Sequence, residues 1–442
     1  MTHTTYGTLV PEGDDMAYEF TQEGKDLLEK VKAYMDEHIY PNVDAYHEEA
    51  EKLGHNGFPA MLDDMKRAAR DQGLWNLFIP HLDPGAPGTK LSNVDYAPIS
   101  EELGKVGFAS QALNCAAPDT GNMEILNMYG SERVKKDYLE PLLEGEIRSA
   151  FSMTEPAVAS SDATNIGLRI ERDGDEYVLN GTKWFSSGGM RDNCKVLVVM
   201  GKTNPSASRH TQQSMIVVPR DAPGVSIGRQ PHVFGFDHGG GHPEIHYENV
   251  RVPAENLLGE EGSGFAISQA RLGPGRIHHC MRSIGVAERA LELMVKRSLE
   301  RETFGTSVAQ KGVVQDWIAE ARINIDMHRE YVLRTAHLMD TVGNKSAATE
   351  ISGIKVAVPR MALKIIDDAI QVFGAAGVTQ FAPLAEMYAS MRTLRIADGP
   401  DEVHKMTIAR REILKHDGTF RINPMLGSKA KQSADEVPVM RP

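Results

Sequence analysis

The order of apolar and polar positions divides the chain into three regimes. From about Ala17 to Arg148 apolar residues recur at helical spacing. In Gly24–Ile39, Leu27, Leu28, Val31, Met35 and Ile39 share one face. Pro59–Gly73 reads as a further helix that Gly73 closes, and Asp83-Pro84-Gly85-Ala86-Pro87-Gly88 is a connector between helices. After Ser149 the period changes. Residues 150–258 carry short runs of Val, Ile, Tyr and Phe at 176–179, 195–200 and 214–219. Asp173-Gly174, Asn180-Gly181 and Pro223-Gly224 read as the hairpins and turns between them, which predicts a small barrel or sandwich. From Gly262 helical spacing returns. Gly285–Glu302 sets Val286, Ala290, Leu293 and Leu299 at that spacing, and Val313–Met339 and Glu350–Phe373 are two more amphipathic runs.

Helices, then strands, then helices predict an α+β multidomain protein and exclude alternating βαβ units of a Rossmann sheet. The boundaries expected are 1–149 (helical), 150–260 (strands), 261–415 (helical) and 416–442, a polar tail or an arm across a neighbour. A length of 442 residues agrees with two to three domains. Acidic residues outnumber basic ones, 61 to 48, so the net charge of −13 argues against a nucleic-acid partner. A local group of cations still suffices for a small anion. Cys115, Cys194 and Cys280 are odd in number and far apart, which predicts three reduced core thiols rather than disulfides or a zinc site. No stretch approaches the ~18 apolar residues of a membrane span, and the polar N-terminus does not read as a signal peptide. The expectation is a soluble, cytoplasmic protein.

Five segments carry candidate chemistry, each with a structural alternative. Phe151-Ser152-Met153-Thr154-Glu155-Pro156 with Ser160-Ser161-Asp162 offers small donors to a planar heterocycle, or is a plain turn. Asn180-Gly181-Thr182-Lys183-Trp184-Phe185-Ser186-Ser187 could stack on a ring and bond its edge, or be a hairpin leading to a buried Trp. Arg301 in Arg301-Glu302-Thr303-Phe304-Gly305 suits a phosphate, or complements the negative end of a helix. Gln371-Val372-Phe373-Gly374-Ala375-Ala376-Gly377 lacks the strand of a dinucleotide fingerprint and reads as a helix cap. In Ala397-Asp398-Gly399-Pro400-Asp401-Glu402-Val403-His404, Pro400 marks a helix start; Asp398 before it is a base or a cap. A metal site is not expected. Gly239-Gly240-Gly241 separates His238 from His242, and the adjacent His278 and His279 face different ways.

In order and spacing these segments, with LLGEEGSGF at 257–265, resemble the acyl-CoA dehydrogenase superfamily from about residue 20 to 415. LGPGRIHHCMRSIGVAERAL (272–291) and ADGPDEVH (397–404) look most like the branch containing acyl-CoA dehydrogenase family members ten and eleven. The resemblance implies an N-terminal helical domain, a central β-barrel and a C-terminal four-helix bundle. It also implies FAD between barrel and bundle, and a homotetramer built as a dimer of dimers. It points to Thr154 and Ser161 (or Ser160) at flavin or thioester, Trp184 or Phe185 as the stacking aromatic, and Ser187 or Ser186 as the adjacent hydroxyl. Arg301, Thr303 and Phe304, with Gln371, Gly374 and Gly377, match residues that reach the FAD of a neighbouring subunit. Gly399 follows the base on the cofactor side, and Arg276 matches an arginine kept beside the acyl-CoA.

The family base is usually a glutamate in a Tyr-Glu-Gly-Thr segment. Here Asp398 takes that place and Pro400 replaces the Thr. The alternative base position of the family is Gly275 here, which cannot serve. The implied reaction is α,β-dehydrogenation of a fatty acyl-CoA to the trans-2-enoyl-CoA, with an electron-transferring flavoprotein as acceptor. Burial is expected to raise the Asp398 pKa. Two other readings use the same fold: a flavin oxidase resembling nitroalkane oxidase, and a low-turnover nucleic-acid-binding member.

Overall fold

A computed structural model describes residues 18–54, 58–79, 82–236 and 240–419. The expected tail from residue 420 onward, the N-terminal residues read for a leader, and His238 lie outside the described residues.

The N-terminal domain is helical: α1 (Gln22–Tyr34), α2 (Val43–Leu53), α3 (Met61–Asp71), α4 (Asn93–Gly104), α5 (Ala109–Ala112), α6 (Asp119–Tyr129), α7 (Glu132–Val134) and α8 (Glu140–Leu143). The Thr21 hydroxyl accepts from Gly24 N–H and caps α1. A π turn, Met35–Ile39, extends α1 so that the apolar face reaches Ile39 as the spacing predicts. Gly73 takes φ +73° past the end of α3, the left-handed stop its sequence promised.

The middle domain is a β half-barrel with strand order β1-β4-β2-β3-β7-β6 and β5 on the far side of β4. Its strands are β1 (Arg148–Ser152), β2 (Arg169–Asp173), β3 (Glu176–Lys183), β4 (Cys194–Lys202), β5 (Gln213–Pro219), β6 (Val225–Ile227) and β7 (Ile245–Pro253). β4 is covered on both faces. Val196, Val198 and Met200 pack into the helical core, while Leu197 and Val199 point into the barrel interior. Asp173-Gly174 begins the β2–β3 hairpin, as expected. Asn180-Gly181 does not make a hairpin. Gly181 sits inside β3 at a register shift against β7 with φ +150°, a bulge rather than a reversal.

The C-terminal helical domain contains α9 (Gly264–Glu300), the small β8 (Glu302–Thr303)–β9 (Thr306–Ser307) hairpin, α10 (Gly312–Val342), α11 (Ala348–Phe373), α12 (Leu384–Leu394) and α13 (Asp401–His416). The final helix begins one residue later than read, with Pro400 as its N-cap. α9 runs through Pro274 and starts well before Gly285, so the apolar spacing marked only its second half. Leu299 is exposed near its end, not on the core face. α4 and α9 cross backbone to backbone because Gly104 and Gly285 lie at the contact. A Cβ at these positions would stand 2.2 Å from Arg282 O and 1.9 Å from Glu101 O. The three cysteines are free and buried. Among the described residues no helix is long and apolar enough to cross a membrane.

Candidate active site

The turn 395–400 joins α12 to α13 and is held by polar and charged groups from three helices. Arg276 Nε of α9 donates to the Asp398 carbonyl at 3.0 Å, and His404 Nε2 of α13 donates to the same oxygen at 3.3 Å. Lys355 Nζ, fully buried on α11, donates to the carbonyls of Leu394 and Gly399. Asp401 Oδ2 accepts from Arg395 Nε at 2.9 Å and Arg360 Nε at 3.0 Å. This net keeps Asp398 at φ +55° and Gly399 at φ +101°, left-handed backbone that an unsupported turn would relax. At Gly399 a Cβ would stand 2.9 Å from His404 Nε2, so no other residue closes the turn this tightly.

The Asp398 side chain, 16% exposed, is directed at α9. Its Oδ2 accepts no tight hydrogen bond; His279 Nε2 lies 3.4 Å away. Burial pushes the Asp398 pKa up, but His279, Arg271 and Lys355 outweigh it and hold the carboxyl well below the usual range. The expected rise is therefore corrected: burial does act upward, but His279, with Arg271 and Lys355 behind it, decides the sign. His278 and His279 do face different ways. His278 packs against Tyr96 and Phe78 with ring centroids 5.0 and 6.4 Å apart, and burial lowers its pKa to about 3.

The second group of expected residues lines the barrel edge. Trp184 N–H donates to the Thr154 carbonyl at 3.0 Å, which ties the two motif segments together. The rings of Trp184 and Phe185 meet edge to face at 5.1 Å. Trp184 Nε1 is buried without a hydrogen-bond partner, and Phe185, at φ +50°, is exposed and stacks on His242 at 5.6 Å. Ser187 Oγ pairs with His242 Nδ1 at 2.8 Å. Ser186 is instead fully buried against Ser152, also 2.8 Å away. Ser161 is exposed, whereas Ser160 Oγ accepts from Glu155 N–H and closes the loop between them.

Two motif letters prove structural. Lys183 Nζ and Glu155 Oε1 form a buried pair at 2.7 Å, and the Glu155 carboxylate also accepts from Gly167 and Leu168 N–H. Arg271, which the sequence reading passed over, links barrel and bundle. Its guanidinium lies 4.1 Å over the Phe151 ring, and its charge acts on Asp398. Glu124 is buried beside it, and burial raises its pKa to about 8 against the pull of Arg271.

A third group stands apart. Arg301, Thr303 and Phe304 follow the end of α9, and the Arg297 guanidinium over Phe373 (5.3 Å) brings Gln371, Gly374 and Gly377 to that end. Arg276 to Glu300 spans 24 residues of one helix, roughly 36 Å at 1.5 Å per residue. One chain therefore does not bring this group to Asp398. Phe304 is 97% exposed. Among the described residues no cluster of three metal-ligating side chains forms.

The chain matches three family models in sequence: acyl-CoA dehydrogenase N-terminal domain over 21–146, middle domain over 150–250 and C-terminal domain over 262–413. It is 54% identical over 401 residues to acyl-CoA dehydrogenase family member 11 of Gallus gallus, covering 89% of this chain and 51% of that protein. FadE2 of Mycobacterium tuberculosis, assigned as an acyl-CoA dehydrogenase, is 51% identical over 409 residues, covering 92% and 99%. A solved structure from Mycobacterium abscessus, assigned to the same activity, superposes with TM-score 0.86 at 45% identity, covering 90% of this chain and all of that one. The chain spans about half the length of the family member 11 relatives that it matches.

Proposed function

The chain belongs to the acyl-CoA dehydrogenase family, and from that premise we propose that it oxidises a fatty acyl-CoA thioester across its α and β carbons to the trans-2-enoyl-CoA. The observation that carries the reading is Asp398: an ionised carboxylate, mostly buried, with one oxygen free of tight hydrogen bonds.

The residues at the barrel edge suit FAD. Trp184 Nε1 is an orphaned buried donor beside the exposed Phe185 ring and the Ser187 hydroxyl. In this reading Thr154, Ser161, Trp184, Phe185, Ser187 and Gly399 hold the cofactor from one subunit. Arg301, Thr303, Phe304, Gln371, Gly374 and Gly377 reach it from a neighbour in a homotetramer. The distance along α9 supports that division. FAD, when bound, supplies the acceptor for the β hydride.

Asp398 takes the α proton. Among the described residues no backbone carbonyl accepts from the Asp398 N–H, which leaves it to bond the thioester carbonyl as negative charge develops there. One such donor is worth on the order of 3 kcal/mol in the transition state. Arg276, half-buried and bonded to the Asp398 carbonyl, fixes this N–H and the carboxylate as one unit. Ser161, Arg276 and Asp398 are the substrate-facing residues of the proposal.

We assign an electron-transferring flavoprotein as acceptor. A solved structure concerning such a flavoprotein from Acidaminococcus fermentans shares the fold at 27% identity with TM-score 0.77. The test is turnover of a panel of acyl-CoA thioesters with an electron-transferring flavoprotein and, separately, with oxygen alone. Enoyl-CoA formation that depends on the flavoprotein supports the proposal. Stoichiometric peroxide without it turns the reading to an oxidase.

A further inference from the structure

We infer that His279 is the positioning residue of the base: its Nε2–H orients the Asp398 carboxylate, and Arg282 fixes the tautomer that makes this possible. The inference rests on the reading of Asp398 as base and adds the group that aims it.

Three residues of α9 create the arrangement through helical spacing. Gly275 and His279 are four apart and share one face, and Arg282 lies three further on. At Gly275 even a Cβ would stand 3.7 Å from Asp398 Oδ2, so this turn of α9 leaves room for the carboxylate. One turn on, His279 Nε2 stands 3.4 Å from the same oxygen. The other ring nitrogen, Nδ1, lies 3.1 Å from Arg282 Nη2. A guanidinium only donates, so Nδ1 must be the acceptor. In the neutral ring the proton then sits on Nε2, facing Asp398. This is the logic by which a base is oriented by a third group. A contact of 3.4 Å tightens readily once substrate excludes water.

Arg271, Arg276 and Arg282 on α9 and Lys355 on α11 surround the pair. Burial first, then Arg282 and Lys355, lower the His279 pKa against the pull of Asp398, while the carboxyl of Asp398 is held well below its usual range. On α13, His404 is engaged with the Asp398 carbonyl and Asp401 with Arg360 and Arg395. Neither competes for the carboxylate. A neutral donor serves here better than a cation, because it orients the anion while depressing its basicity less.

The test compares H279L and H279Q with the wild-type holoenzyme across pH, scoring flavin content alongside kcat and KM. H279L is expected to lose roughly 10- to 100-fold in kcat with little change in KM. The acid limb of its kcat/KM profile should move to higher pH, since the carboxylate loses a partner that favours its charged form. H279Q, whose amide N–H is also a neutral donor, should recover most of both. If H279L does not accumulate as flavoprotein, H279N, with an amide too short to reach, is read in its place. Wild-type kcat and an unmoved acid limb in H279L or H279N overturn the inference. D398N separates the two levels. An inactive D398N beside an unchanged H279L removes only the role of His279, whereas an active D398N removes the base itself and this inference with it.

Discussion

Arg276 Nε bonds the carbonyl of Asp398 at 3.0 Å, joining the middle of α9 to the turn before α13. In the proposed mechanism this arginine thus sets the backbone of the residue assigned as base. R276K keeps a charge but presents a point donor in place of a fork. We expect kcat to fall about tenfold or more with R276K folded and flavin-loaded. An unchanged kcat would make this bond a bystander.

Gly275 gives a second prediction. Glycine inside a helix costs about 1 kcal/mol relative to alanine, yet at this position a side chain would fill space beside Asp398 Oδ2. G275A should melt no lower than wild type, because 3.7 Å is ordinary van der Waals contact. Its kcat/KM for acyl-CoA should nevertheless fall. Unchanged kinetics would show that this space is not used by substrate.

Lys183 and Glu155 are a buried pair whose removal should be felt by the barrel and not only by the site. K183M leaves Glu155 charged and buried, at a cost of roughly 3–5 kcal/mol. The double variant K183M/E155L should recover much of this. A double variant as unstable as the single one would mean that the pair is not the origin of the loss.

Acid should destabilise the fold before most carboxylates titrate. Burial lowers the pKa of His404 to about 4 and that of His278 to about 3, below the ordinary 6.5. Between 6.5 and these values the unfolded chain binds protons that the folded chain refuses, so stability declines as pH falls through the window. For His404, 3% exposed, a fall from 6.5 to about 4 corresponds to roughly 3 kcal/mol. H404Q should flatten that part of the curve in chemical unfolding at pH 7, 6 and 5. A curve identical to wild type would contradict it.

The domain order and most long helices were legible in the apolar spacing, because each buries one face against its neighbours. Asp398 stood out before a helix start as a base or a cap, and Arg276 only through the resemblance; the structure brings the two together at one turn. Asn180-Gly181 misled, since a bulge and a hairpin ask for the same residues and only the partner strand separates them. Lys355 gave no signal. A lysine in an amphipathic run reads as solvated, and only the packing of the 395–400 turn over α11 buries it. His279 entered only as a rejected metal ligand, since its partner is distant in sequence. The lowered Asp398 pKa follows from His279, Arg271 and Lys355, which outweigh burial.

Exposed Phe304, also at φ +50°, lies at the end of α9 where the proposed tetramer would bring a neighbouring subunit. F304A should leave the stability of the chain nearly unchanged, while flavin content falls and sedimentation shifts to smaller species. Full flavin content in a tetramer would free this residue of that role.

The central claim is that Asp398 takes a proton from an acyl-CoA held against flavin. The most direct measurement is the visible spectrum of wild type and D398N under anaerobic conditions, followed by stopped flow while acyl-CoA thioesters are added. Wild type should bleach, with some chain lengths favoured, and D398N should bind the same thioester but bleach roughly 10³-fold more slowly. Bleaching of D398N at the wild-type rate would contradict the assignment of the base. A wild-type flavin band that no thioester bleaches would contradict the reaction.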